Sequence, residues 1–161
     1  MKLIYSAVYV AVTGFIAYLA GEAMPRRWFK EWKFPYNEFS WEKKGGIYNK
    51  FKVKKWKNKI IDMSKIFTGM LPKAVKFGAN SKDLNALIKE TCVAEFIHRF
   101  LCGISGGVYW IWNSSEGLVV WLLCVLGNMP FIMIQRYNRP HLKSLMKRME
   151  KREAAAGCLQ T

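Results

Sequence analysis

Two side chains capable of acid–base chemistry lie within one mostly apolar stretch of this chain. Glu95 and His98 are three positions apart, which places both on the same face of an α-helix. A histidine that is oriented by a carboxylate can act as a general base toward a hydroxyl group. Ionisable groups inside an apolar helix usually face a bundle interior or a cavity. The pair therefore indicates a candidate catalytic site in which Glu95 orients His98.

Two other interpretations of the same residues stay open at this point. Arg99 follows Glu95 by four positions, so the two could form an ion pair along the helix while His98 binds a carbonyl oxygen. Glu-x-x-His also occurs in di-metal bundles, but those need a second such motif and further carboxylates. We therefore predict no metal site. No sequence motif for a serine nucleophile or a nucleotide-binding loop is present, which favours direct transfer without a cofactor.

A second group of polar side chains follows the last apolar stretch, where a membrane helix would leave the bilayer. Its consecutive members all form hydrogen bonds: Gln135, Arg136, Tyr137, Asn138 and Arg139. Guanidinium groups suit carboxylate or phosphate, and amides suit sugars or carbonyls. These donors, with Asn128, could bind an anionic headgroup or the oxyanion of acyl transfer. The alternative is an ordinary membrane-exit sequence that is followed by Pro140.

Three apolar stretches are long enough to cross a membrane, at residues 3–20, 91–112 and 118–134. The turn at 113–117 is short, so the last two should pack as an antiparallel hairpin. His98 and Asn128 each lie roughly 10 Å from the same end of that hairpin, so the two polar groups approach one layer. The expected fold is an all-α integral membrane protein with a single domain, residues 1–161, and with interfacial or re-entrant helices on the cytoplasmic side.

The distribution of charge predicts how this protein is oriented. The chain is 52% hydrophobic and 15% aromatic, with a net charge of +15. Of its 26 lysines and arginines, 17 lie between residues 25 and 89 and seven lie from residue 136 onward, whereas the turn at 113–117 has none. The positive-inside rule then places the N-terminus outside and the C-terminus in the cytoplasm of a multi-pass membrane protein.

The basic segment at residues 25–82 alternates lysines with tryptophan, tyrosine and phenylalanine. This pattern suits anionic inner-leaflet lipids, with the rings at headgroup level and the ammonium groups in water. It can also bind single-stranded nucleic acid, but the adjacent membrane helix favours the lipid, and we predict no nucleic-acid partner. We further predict an interfacial helix at 54–64, a re-entrant or interfacial piece at 66–77 and a basic amphipathic tail helix at 136–152.

Three stretches of the sequence, 56–62, 90–98 and 128–140, resemble the glycosyl-4,4'-diaponeurosporenoate acyltransferase family. These are small bacterial membrane proteins associated with the last step of staphyloxanthin-type carotenoid synthesis. The resemblance covers about residues 25–152 and implies transfer of a fatty acyl group to a sugar hydroxyl of a membrane-embedded lipid or glycolipid acceptor. By matching position it implicates Lys57, Lys59, Asp62, Glu95, His98, Asn128, Gln135, Arg136, Tyr137, Asn138 and Arg139.

Chemistry and resemblance together predict a membrane acyltransferase that acts at the inner leaflet of a bacterial cell membrane. His98 would deprotonate the acceptor hydroxyl, and Asn128 and Gln135 would hold the sugar or the oxyanion. Arg136 and Arg139 would bind the phosphates of an acyl-CoA or acyl carrier protein donor. Lys57 and Lys59 would assist them. The alternatives are a non-catalytic protein that binds lipid headgroups or a partner enzyme, and methyl or phosphoryl transfer to a lipid. The sequence does not define the acceptor or the oligomeric state.

Overall fold

The computed structural model describes residues 1–57 and 80–158, and the regular secondary structure in these two ranges is helical throughout. The α-helices are, in chain order, α1 (Lys2–Ala23), α2 (Ile47–Lys50), α3 (Val53–Trp56), α4 (Ser81–Ile104), α5 (Val108–Trp112) and α6 (Ser115–Cys158). Short 3-10 turns lie at Arg26–Trp28, Ser40–Glu42 and Ser105–Gly107. The predicted all-α class is confirmed for these ranges.

Helices α4 and α6 form the antiparallel pair on which the rest of the fold packs. At one end the Ser81 hydroxyl donates to a carboxylate oxygen of Glu153 at 2.7 Å. At the other end the Trp121 indole N–H donates to the carbonyl of Cys102 at 2.9 Å. Asn80 caps α4, because its side chain accepts a hydrogen bond from the backbone N–H of Asp83. The antiparallel arrangement predicted for this hairpin is therefore present.

Helix α1 lies antiparallel to α4 and continues along α5. The Tyr9 hydroxyl donates to the carbonyl of Ile104 at 2.7 Å, and the Trp112 indole N–H donates to the Ser6 hydroxyl at 2.8 Å. Near the other end of α1, Gly21 packs closely against Ile97 of α4. A Cβ added to Gly21 would lie 3.2 Å from Cγ1 of Ile97. Both α1 and α6 thus pack against α4, with a space between them.

Within the described ranges, α1 and α6 are long and apolar enough to cross a membrane. Helix α6 has 44 residues, a length of roughly 66 Å at 1.5 Å per residue. A hydrocarbon core is about 30 Å thick, so only part of α6 can lie within one. The predicted tail helix at 136–152 is the continuation of α6 and not a separate element, because Pro140 lies inside the helix without ending it.

The predicted span at 91–112 differs from the observed helices. Helix α4 begins at Ser81 and ends at Ile104, and the 3-10 turn Ser105–Gly107 separates it from α5. The turn is shaped by α1, since a Cβ on Gly107 would collide with the hydroxyl of Tyr9. Helix α4 carries charged residues such as Glu90 and Glu95, and it is therefore less apolar than α1 and α6, which are apolar enough to cross a membrane.

The basic and aromatic segment after α1 consists of short helical pieces and turns that fold back onto α4 and α6. Phe29 is buried against Cys92 and Val93, and Tyr48 and Val53 are buried against α6. Other rings of the segment are exposed: Trp28, Trp32, Phe34, Trp41 and Phe51. The predicted pieces at 54–64 and 66–77 lie wholly or mostly outside the described residues.

Candidate functional site

His98 on α4 is held by an amide of α6. Its Nδ1 lies 2.8 Å from Oδ1 of Asn128, whose Nδ2 donates to the carbonyl of Cys124 at 2.9 Å. A carbonyl only accepts hydrogen bonds, so Nδ2 must face Cys124 and Oδ1 must face His98. Oδ1 also only accepts, and Nδ1 therefore carries the hydrogen. In the neutral ring this leaves Nε2 as the basic nitrogen.

Phe131 fixes the plane of the same imidazole. Its ring stacks on His98 with centroids 4.5 Å apart and an angle of 9° between the planes. Asn128 and Phe131 are three positions apart, so one face of α6 both orients and supports the histidine. The structure therefore assigns to Asn128 the orienting hydrogen bond that we predicted for Glu95.

Glu95 is instead the centre of a buried ion network. Its side chain is 0% exposed. One carboxylate oxygen lies 2.7 Å from Nη1 of Arg136 and 2.6 Å from Nη2 of Arg99, and the other lies 2.5 Å from Nη2 of Arg139. The Glu95–Arg99 pair is the structural alternative considered for this residue. The two further arginines come from the polar group at the end of the apolar part of α6.

Arg136 uses all five of its N–H donors within the protein. Two carboxylates and two backbone carbonyls accept them, at distances of 2.5–3.0 Å from Glu42, Glu95, Pro35 and Asn37. Arg139 is bound in the same manner by Thr91, Glu95 and the Tyr36 carbonyl. Both arginines are buried, with 6% and 3% exposure respectively. The prediction that they bind the donor's phosphates is therefore not supported by this geometry, because all five N–H donors of Arg136 and four of the five of Arg139 are already bound within the protein.

The network joins three parts of the chain. Glu42 and the carbonyls of residues 35–37 belong to the segment after α1, Glu95 belongs to α4, and both arginines belong to α6. Burial by itself raises the pKa of Glu42, but hydrogen bonds from Arg136, Tyr48 and the Phe39 N–H outweigh it and lower that pKa. Glu42 is therefore held ionised, and the network fixes the aromatic segment against the helix pair.

A cavity of about 580 Å³ lies between α1, α4 and α6. This volume is in the range of sites that bind small molecules. Lining residues recur every three or four positions along each helix, which is the spacing of one helix face. On α4 they run from Leu87 to Leu101, a distance of roughly 21 Å along the axis. Most of the lining is apolar, and the described polar residues that line it are Tyr18, Glu22, Arg26, Lys57, Glu90, Thr91, His98, Gln135, Asn138 and His141.

Gln135 is the polar residue of this cavity that most directly indicates a ligand. It is 6% exposed and lines the cavity, yet its amide makes no hydrogen bond to any described residue. An amide with no partner among the described residues can bind a polar group that enters the cavity. Gln135 lies one helical turn from Phe131, which stacks on His98. The Gln135 amide and the oriented histidine are therefore close neighbours in the cavity wall.

Lys57 lines the cavity beside Asn138 of α6. Its ammonium group donates to Asn138 Oδ1 at 2.9 Å and lies 4.8 Å from the centre of the Tyr137 ring. Burial, and to a lesser degree the charge of Lys54, lowers the pKa of Lys57. Among the described lining residues, Lys57 is a cation whose partners are neutral, whereas Arg26 pairs with Glu90. The predicted site residues Lys57, Tyr137 and Asn138 are thus in mutual contact, while Lys59 and Asp62 lie outside the described residues.

His141 is a cavity residue that the sequence analysis missed. Its Nδ1 donates to the Tyr137 carbonyl at 2.8 Å, and its ring packs on that of Tyr137 with centroids 4.7 Å apart. Both of the chain's two histidines therefore line one cavity. The available signal was spacing, since Asn138 and His141 are three positions apart and continue the helix face that begins at Asn128. The described residues contain no group of three metal-ligating side chains.

The fold and the cavity define the class of this protein: it is a small helical protein with candidate membrane helices and a large cavity between its helices. Residues 25–148 match the family profile described as glycosyl-4,4'-diaponeurosporenoate acyltransferase. Three relatives from strains of Staphylococcus aureus carry the same name and are each 32% identical to this chain over 136 residues. The matched residues make up 82% of the chain and 80% of each relative. No solved structure matches the chain.

The chain therefore belongs to the glycosyl-4,4'-diaponeurosporenoate acyltransferase family and is an acyltransferase. The matched region contains α4, most of α6 and the segment that the ion network holds. It ends before the last part of α6 and begins after α1.

Proposed function

We propose that this protein transfers a fatty acyl group from an activated donor to a sugar hydroxyl of a glycosylated membrane lipid. The observation that carries the proposal is the position of His98, which Asn128 orients in the wall of the cavity that Gln135 also lines. The family and the relatives support acyl transfer as the reaction. Their name indicates a glycosylated carotenoid acid as the acceptor.

The reaction requires one base and one donor of hydrogen bonds. Nε2 of His98 takes the proton of the acceptor hydroxyl, and the hydroxyl oxygen attacks the carbonyl carbon of the acyl donor. The Gln135 amide donates a hydrogen bond to the oxyanion that forms. When the oxyanion collapses, the bond to the carrier breaks and the leaving sulfur takes the proton from His98. An acyl-CoA or acyl carrier protein supplies the thioester.

Lys57 is the cation best suited to the carrier's phosphate groups. Its partners are the neutral Asn138 and Tyr137, so its positive charge is available to an anion. Arg136 and Arg139 serve the fold instead, because they saturate Glu42 and Glu95. This division weakens the alternative of a non-catalytic headgroup-binding protein, which depends on those arginines.

Transfer can be tested directly with purified protein in nanodiscs that contain the glycosylated carotenoid acid. After addition of an acyl-CoA, mass spectrometry is expected to detect the acylated glycolipid. Gln135→Leu should lower kcat by about a hundredfold or more, as loss of an oxyanion donor does. Asn85→Leu removes an exposed amide of α4 outside the cavity and is the matched control. Full turnover in Gln135→Leu would exclude the oxyanion role of Gln135. If wild type forms no product with acyl-CoA or with acyl carrier protein as the donor, the proposed transfer to this acceptor is contradicted.

In the membrane we propose three crossings, by α1, by α4 together with α5, and by the first part of α6. The basic segment and the end of α6 then lie on the cytoplasmic side, where anionic lipids attract lysine and arginine. The part of the cavity that Lys57 and His141 line is nearer to the same side. A reporter that is active only in the cytoplasm should work when fused to the C-terminus and fail when inserted in the turn at 113–117. The reverse pattern would contradict this orientation.

A further inference from the structure

Helix α1 forms one wall of the cavity although it precedes the region that matches the family. Matched residues begin at residue 25, whereas Gly14, Ala17 and Gly21 of α1 all line the cavity. His98 and Gln135, the residues proposed for the chemistry, lie on α4 and α6 within the matched region. The wall contributed by α1 is thus separate in sequence from the catalytic group.

The distribution of charge differs along the cavity. Around Leu101 the described lining residues are Gly14, Ala17, Tyr18, Ile97, His98, Leu101 and Phe131, and none of these is a lysine, arginine, aspartate or glutamate. The charged lining residues Glu22, Arg26, Lys57 and Glu90 lie farther from Leu101, where the apolar Leu87, Leu142 and Leu145 also line the cavity. An acyl donor has the same division, with a polar carrier at one end and a hydrocarbon chain at the other. The Gln135 amide has no hydrogen-bond partner among the described residues and lies between Phe131 and Asn138 along α6, so we place the reacting carbonyl there.

We propose that the end of the cavity between α1 and α4 binds the hydrocarbon chain of the acyl donor and that Gly14 and Ala17 set the chain length it accepts. This proposal rests on the proposed function. With the carbonyl at Gln135, the chain extends past Phe131 and His98 toward Leu101. Burying a chain there is favourable because it removes methylene groups from water.

Gly14 offers a way to shorten this compartment without disturbing the fold. A Cβ at Gly14 would meet no atom within 4 Å, so a larger side chain has space to enter the cavity. Gly21 is unsuitable, because a Cβ there would contact Ile97. Alanine and leucine at position 14 form a graded series, and both favour a helix over glycine. Gly127→Leu on α6 is the matched control, since Gly127 is exposed, has equally open surroundings and does not line the cavity.

The experiment uses full-length protein in nanodiscs and two readouts. The first is labelling by a fatty acid that carries a photoreactive diazirine, with the labelled peptide found by mass spectrometry. We expect label on α1 in wild type and in Gly127→Leu, a reduced amount in Gly14→Ala and a loss in Gly14→Leu. The second is kcat/KM across acyl-CoA donors of increasing chain length. Gly14→Leu should lower kcat/KM for the longest chain by about tenfold or more, because one methylene in an apolar pocket is worth that much.

The outcomes separate this proposal from the proposed function. Unchanged labelling of α1 in Gly14→Leu, or an equal loss in Gly14→Leu and Gly127→Leu, would show that the space holds ordinary bilayer lipid and would overturn the proposal. An unchanged order of donor preference in Gly14→Leu would overturn it as well. If labelling changes as expected but no donor is turned over by wild type, the chain compartment stands and the acyl transfer fails.

Discussion

Replacing Glu95 with alanine is expected to lower the free energy of unfolding by about 3–5 kcal/mol, a large part of the roughly 5–15 kcal/mol that stabilises a typical domain. Glu95 is fully buried and binds Arg136, Arg139 and Arg99. Without its carboxylate, two buried guanidinium groups lose a counter-charge while they stay inside the protein. An uncompensated buried charge costs far more than a lost surface pair, which is the physical reason for the size of the effect.

The matched control is Glu90→Ala. Glu90 lies on the same helix and pairs with Arg26 at 2.6 Å, but both side chains are 28% exposed. Removing a partly exposed pair should cost about 1 kcal/mol or less. The measurement is the apparent melting temperature of each variant in detergent, followed by intrinsic tryptophan fluorescence. Equal and small shifts for the two variants would show that the Glu95 network contributes little to stability.

This prediction also separates the structural role of Glu95 from a catalytic one. If Glu95 acts through the fold, then Glu95→Gln should lose activity in parallel with its loss of folded protein. The protein that stays folded should then retain most of its turnover. A fully folded Glu95→Gln variant without activity would instead restore the role that the sequence first indicated, in which Glu95 acts on the histidine.

Replacing His98 with glutamine is expected to reduce kcat for acyl transfer by about 10²–10⁴-fold, the usual contribution of a general base. Glutamine can keep a hydrogen bond to Asn128 and fill most of the same space, but it has no nitrogen that takes a proton. The apparent melting temperature should therefore change little. The measurement is product formation by mass spectrometry, with the folded fraction determined in parallel.

Asn128→Ala tests whether the tautomer of His98 matters. Asn128 is a positioning residue, because its Oδ1 fixes the hydrogen on Nδ1 while its Nδ2 binds the Cys124 carbonyl. Its loss should lower kcat less than the loss of His98 does. It should also move the acidic limb of the pH–rate profile, which a purely structural role would leave in place. Near-normal turnover in His98→Gln would exclude the histidine as the base.

Much of the architecture could be predicted because it depends on local patterns. Apolar stretches of membrane length, the short turn at 113–117 and the segregation of basic residues predicted helices and the antiparallel pair of α4 and α6. The second apolar stretch, residues 91–112, differs from the single helix that the sequence predicted. Tyr9 of α1 contacts the turn at Ser105–Gly107, and this long-range contact divides the stretch between α4 and α5 in a way that no local pattern shows.

The candidate site shows the same division between local and long-range information. Residue types and spacing identified His98, Asn128 and Gln135, and these line or border one cavity. Residue types and spacing could not identify the partners of these side chains. The three-residue spacing places Glu95 and His98 on one helix face, but it does not show which side chains of other helices bind them. In the folded protein Arg136 and Arg139 reach Glu95, and Asn128 reaches His98.

The sequence by itself determined the helical class, the family and the set of polar residues from which a site could be built, because these follow from composition, periodicity and motif. Only the tertiary structure decided that Arg136 and Arg139 are bound by Glu42 and Glu95, that the Gln135 side chain lines the cavity with no hydrogen-bond partner among the described residues, and that α1 and His141 line the same cavity. The physical reason is that a buried hydrogen bond or ion pair depends on which groups from distant parts of the chain meet. The local sequence does not show whether a polar side chain will find its hydrogen-bond partner within the protein or in a ligand.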